Sequence, residues 1–176
     1  INNNFKNKND SLVILETGTA RGFSSICMSR ALLDQEHPGI IISLDCIAHE
    51  EKILWNSISD FDGSKTRAEL LESWKEEVSK ILFIQGWTNS LIGKLGLSRI
   101  NFAFLDAQHT KNDVLKEFNF VYKKQIKGDI IVFDDVTPGQ FDGVCDALEI
   151  IESQYPYKVN RFASDPKRGY AIATRE

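Results

Sequence analysis

The apolar residues of this chain gather into short, nearly unbroken runs, at positions 12–15, 40–44, 81–84, 101–105 and 129–133. Runs of this kind, without the in/out alternation of a half-exposed strand, are the pattern of strands covered on both faces of a parallel sheet. Between them the spacing turns helical, over 24–33, 67–80 and 112–125, with Pro38, Gly39 and Gly128 as stops. A fourth helix is predicted at 141–153. Two β-like segments, 157–163 and 169–174, then flank the turn-rich 164–168 and predict a closing hairpin.

Alternating strands and helices predict a single α/β domain over 1–176, a Rossmann-like sandwich on a mostly parallel seven-stranded sheet whose C-terminal hairpin adds an antiparallel strand. Open sheets of this kind bind ligands at the carboxyl ends of their strands. Glu16, Asp45, Gly86, Asp106 and Asp134 all fall there. Residues 46–80 are more than one crossover helix needs, and they carry Trp55, Phe61 and Trp74. The stretch 48–77 reads as an extra helix packed on the sheet, a lid, or an interface that would make a homodimer. The Asn-rich first residues, 1–10, are expected to be frayed.

Composition narrows the picture. The 176 residues carry a formal net charge of −4, which supplies no general attraction for nucleic acid or anionic lipid. No apolar run approaches the roughly 20 residues a membrane helix needs, and the N-terminus lacks the basic-then-apolar order of a signal peptide. Cys27, Cys46 and Cys145 are odd in number and sit in apolar surroundings. They read as buried thiols in a reducing, cytoplasmic compartment.

Residues 16–24, ETGTARGFS, follow the first strand and open a helix. Glycines at 18 and 22 let the backbone pass close to a ligand, but their spacing is not the GxGxxG of dinucleotide binders. Glu16 would repel a pyrophosphate and attract an amino group or a cation. Asp45, at the end of the second strand, is placed to accept hydrogen bonds from both hydroxyls of a ribose. A ligand with a ribose and a positive end satisfies both acids, and S-adenosylmethionine has both.

The stretch ETGTARGFSSICMSRALL resembles the first motif of class I S-adenosylmethionine-dependent methyltransferases, in the form ExGxxxGxS of the catechol, caffeoyl-CoA and macrocin O-methyltransferase group. IISLD, ILFIQGW, INFAFLDAQH, GDIIVFDDV and the terminal YKVNRFASDPKRGYAIATR are similar, in order, to the later strands and hairpin of that fold. The resemblance implies that Glu16, Gly18, Thr19 and Ser24, with Gly22 and Phe23 of the same turn, hold the methionine end of the cofactor. It places Asp45 on the ribose and Gly86 and Trp87 at the adenine. Trp87 departs from the acid common there, and its indole could stack on the purine.

Asp106, Asp134 and Asp135 converge at the other end of the sheet edge. Like charges so close repel unless a cation sits among them, and an oxygen-rich set suits Mg²⁺, Ca²⁺ or Mn²⁺ rather than zinc. The metal-dependent O-methyltransferases have Asp, Asp and Asn in the corresponding places, so Asp135 departs by one atom type. His109, three residues after Asp106, stands where the catechol enzymes place a lysine; it is the candidate base, or alternatively a metal ligand or a solvent-facing residue. Asp106 also borders the cofactor. The expected reaction is methyl transfer to a metal-held hydroxyl of a small, flat or sugar-like acceptor. The rival readings are a nicotinamide-dependent oxidoreductase on the same sheet, and a non-catalytic domain that has kept the fold.

Overall fold

A computed structural model describes residues 10–165 and 168–176. Of residues 1–10, expected to be frayed, 1–9 lie outside the described residues, as do Pro166 and Lys167 of the hairpin turn. The strands are β1 (Leu12–Thr17), β2 (Gly39–Asp45), β3 (Ile81–Gln85), β4 (Phe102–Leu105), β5 (Ile130–Phe133), β6 (Tyr157–Asp165) and β7 (Arg168–Arg175). They form one seven-stranded sheet in the order β3-β2-β1-β4-β5-β7-β6. β1 to β5 pair in parallel, and β7 runs antiparallel to both β5 and β6.

The helices are α1 (Phe23–Asp34), α2 (Arg67–Leu70), α3 (Lys75–Val78), α4 (Thr88–Leu91), α5 (Lys111–Tyr122) and α6 (Asp142–Gln154). Alternation along β1 divides its residues between two faces. Leu12 and Ile14 pack toward Leu32 of α1, whereas Leu15 joins Phe118 of α5 and Leu148 of α6 in the larger core. Both faces are therefore apolar, which is why the strand reads as an unbroken run. The same alternation sends Glu16 toward α1 and Thr17 toward α5.

The segment expected as one helix over 67–80 is two single turns, α2 and α3, separated at Leu71–Trp74. Arg67, Leu71 and Glu77 are all buried. On a continuous helix, at about 100° per residue, Leu71 and Glu77 would lie roughly 120° apart around the axis and would face different sides. Breaking the helix lets Leu71 cover the start of α1, while Glu77 meets Ser29 through its carbonyl and Arg30 through its carboxylate.

The cysteines are not core residues. Cys27 and Cys46 are exposed, Cys145 is half-buried, and all three are free thiols. The buried face of α1 is Ser25, Ile26, Ser29 and Leu32. Cys27 sits about 100° from Ile26, on the outer side. Among the described residues no helix is long and apolar enough to cross a membrane.

Candidate functional site

The carboxyl ends of β1, β2 and β4, with the start of α4, enclose a cleft of about 530 Å³. Gly18 is the hinge of its floor. Its φ is +82°, and a Cβ there would stand 1.9 Å from the carbonyl oxygen of Asp106. Only glycine lets the turn after β1 cross the end of β4 this closely. Gly18, Asp45, Trp87 and Asp106 line the cleft as expected, together with Ala20 and Asn89.

Other expected residues stand elsewhere. Glu16 is fully buried beneath the lining, and its carboxylate accepts hydrogen bonds from the hydroxyls of Ser24, Ser25 and Ser43. Burial raises its pKa above the ordinary carboxylate value, against the lowering effect of those hydroxyls and of Arg67. Its role here is to tie the first turn of α1 to β1 and β2. Thr19 is buried beside it, its hydroxyl 2.6 Å from that of Ser43. Gly22, at φ +86°, caps α1, and Ser24 is half-buried at the helix start.

Phe23 is not in the cleft. Its ring is 76 % exposed and borders a separate apolar groove with Ile26, Leu71 and Trp74. Two residues before the buried Ser25 is about 200° around the helix, which turns Phe23 away from the sheet. Gly86, at φ +147°, turns the chain out of β3; Trp87 beyond it is 63 % exposed at the rim.

Asp45 is already well partnered. Its Oδ2 accepts from the Ala20 amide at 2.6 Å and from Arg67 at 3.1 Å, and its Oδ1 accepts from the Ile47 amide at 2.8 Å. Arg67 had no signal in the sequence beyond the Thr66 and Glu69 capping box that starts its helix. Asn89 was also missed. Its amide nitrogen donates to Asp113, which leaves its buried oxygen with no partner beside the cleft.

At the far end, Asp106, His109 and Asp135 each bring a ligand atom within 4.8 Å of the other two. They are the one such group of acids, histidines and cysteines among the described residues. Asp134, expected as a ligand, is outside it. Successive strand residues point to opposite faces, and Asp135 takes the left-handed conformation, φ +55°, that swings its carboxylate toward His109. His109 Nε2 lies 2.9 Å from Asp135 Oδ2, but off the line of a hydrogen bond. The pKa of Asp106 is pushed up to about 8, first by burial and then by the charges of Asp134 and Asp135.

The layout is that of an α/β domain built around a nucleotide-sized cleft with an acidic cluster at one end. A family model described as a methyltransferase domain matches residues 15–136. The chain belongs to that family of class I methyltransferases. No curated protein matches the sequence. Among solved structures, the O-methyltransferase TomG from Streptomyces achromogenes, in complex with SAM, is 20 % identical with a TM-score of 0.66, over 93 % of this chain and 72 % of TomG. Cofactor-bound Rv0187 from MTB gives 17 % and 0.69, over 92 % and 72 % of the two chains. An O-methyltransferase from Bacillus cereus in complex with SAH gives 17 % and 0.63, over 93 % and 74 %. At these identities the structures establish the fold.

Proposed function

We propose that the protein transfers a methyl group from S-adenosylmethionine to a hydroxyl of a small-molecule acceptor, with a divalent cation at the acidic cluster. The observation that carries this reading is the convergence of Asp106, His109 and Asp135 beside the nucleotide-sized cleft. The cleft supplies Asp45 for a ribose and, at its rim, the exposed ring of Trp87 for a purine face. Solved neighbours of the same fold hold SAM or SAH.

The residues present fit a cation. Asp106 and Asp135 offer carboxylate oxygens, and a protein that crowds Asp106 against Asp134 and Asp135 has negative charge to neutralise. A cation bound there would lower the pKa of an acceptor hydroxyl. Asp106 and Asp135 would hold it. His109 Nε2, in the same small space, would receive the hydroxyl proton. Asp134 contributes charge rather than a ligand atom. A reducing, cytoplasmic setting is proposed from the odd number and wide spacing of the cysteines alone.

Isothermal titration calorimetry with S-adenosylhomocysteine, followed by Mg²⁺ or Mn²⁺, tests both halves. The expected outcome is a one-to-one complex with the cofactor product and a second binding event with the cation. Absence of the first removes the methyl-donor assignment; absence of the second alone removes the cation.

A further inference from the structure

Arg67 heads the fully buried side chains by volume, at 2 % exposure. A guanidinium out of water is costly unless it is paired and hydrogen-bonded, so the partners of this one show what it is for. Nη2 meets Asp45 Oδ2 at 3.1 Å, Nε donates to the carbonyl of Ala20 at 2.6 Å, and Nη1 to the carbonyl of Ile47 at 3.4 Å. The rings of Trp55 and Phe83 each lie 5.8 Å from its Cζ. Ala20, Asp45 and Ile47 all line the cleft. The side chain reaching them comes from the long stretch after β2, which Trp55 pins by donating from Nε1 to the carbonyl of Lys65 at 2.7 Å.

The acceptor capacity of Asp45 can be counted. A carboxylate offers about four lone-pair positions. Ala20 and Arg67 occupy both on Oδ2, and Ile47 occupies one on Oδ1. The Cys46 thiol is also coupled to this carboxylate, but it is a weak donor that a hydroxyl displaces. One strong acceptor position remains, on Oδ1 of a residue that lines the cleft.

We infer that Arg67 is a positioning residue for the cofactor's ribose: by filling Oδ2 of Asp45 it leaves a single acceptor, so that Asp45 takes a hydrogen bond from one ribose hydroxyl and not from both. This rests on the reading of the cleft as the cofactor site. It also gives part of the segment 48–77 a definite task. Arg67 and Trp55 brace the cofactor site from behind, so changes in this segment act on cofactor affinity.

The test is calorimetric, with S-adenosylhomocysteine and its 2′-deoxy and 3′-deoxy analogues. With wild-type protein, one analogue binds weaker by on the order of tenfold, the loss of one hydrogen bond to a charged acceptor, and the other stays within about threefold. Arg67→Met weakens S-adenosylhomocysteine by about tenfold or more and closes the gap between the analogues, and Arg67→Lys recovers part of both effects. Equal losses for the two analogues in the wild type overturn the inference, as does an Arg67→Met protein with wild-type affinities for all three ligands. If Arg67→Met does not fold, the wild-type analogue pair and Arg67→Lys decide. A wild type that binds no S-adenosylhomocysteine overturns the cofactor reading itself and this inference with it, which distinguishes the two failures.

Discussion

Thr17 Oγ1 donates to Glu117 Oε2 over 2.8 Å, joining the end of β1 to the middle of α5 across 100 positions of chain. The same hydroxyl lies 3.3 Å from the Asp106 amide, which donates to it. Glu117 is 1 % exposed and its Oε1 makes no hydrogen bond, so burial pushes its pKa up to about 7. The folded protein then holds a proton between about pH 4.5 and 7 that the unfolded chain has lost. Stability contributed by this group is full below pH 4.5 and is lost as pH rises through 7, by roughly 3 kcal/mol at most. Glu117→Gln keeps the shape without the titration. Urea unfolding at pH 5 and pH 8 should show the variant gaining about 1–3 kcal/mol on the wild type between the two values; an unchanged difference would count against a raised pKa.

His109 stands close enough to Asp135 for either proton transfer or cation ligation, and one substitution separates them. His109→Asn should leave Mn²⁺ affinity within about threefold of wild type while lowering turnover by about 10²-fold or more. A fall in Mn²⁺ affinity of tenfold or more would make the imidazole a ligand instead.

Gly143, near the start of α6, is packed against the backbone that carries His109. A Cβ there would stand 2.3 Å from the His109 carbonyl oxygen and 2.7 Å from the Lys111 amide. Neither neighbour is a flexible side-chain end. Gly143→Ala is expected to cost about 1–3 kcal/mol of stability and to weaken cation binding, with S-adenosylhomocysteine affinity less affected. Denaturant melts and calorimetry on the same preparation check this, and unchanged values in both would refute it.

Asp129 offers a control at the opposite end of the sheet. It is buried, pairs through both oxygens with Arg99, and accepts from the Ile126 amide at 2.6 Å. Asp129→Ala leaves the partly buried Arg99 without its carboxylate. The expected loss is about 2–3 kcal/mol, a little under that of a fully buried pair. Cofactor affinity should hold at temperatures where the variant is folded; a parallel loss of affinity would show that the two ends of the sheet are coupled.

Much of the fold could be read along the chain because both faces of β1, β2, β4 and β5 are largely covered, and two-sided burial writes itself as an apolar run. Asp45 and Asp106 could be placed for a related reason: each ends such a run, and strand ends in parallel sheets share an edge. What escaped depends on angle or on distance along the chain. The direction of Phe23 depends on the phase of α1, set by Ser25 and Ile26. Asp134 and Asp135 part because of one left-handed residue, and Asp is among the few types that adopt that conformation without marking it in the sequence. Arg67 reaches Asp45 over 22 positions, through a segment whose exposed Phe61 and Trp74 draw attention to its surface rather than to its buried side.

The placement of β7 bears on how the chain is made. Among the described residues it is the last strand, yet it lies between β5 and β6 rather than at the rim. During synthesis β5 stays an open edge, with Ile131 and Phe133 ready for the core, until Arg168 and the residues after it have left the ribosome. A stalled or truncated nascent chain therefore offers an unpaired apolar strand to its neighbours.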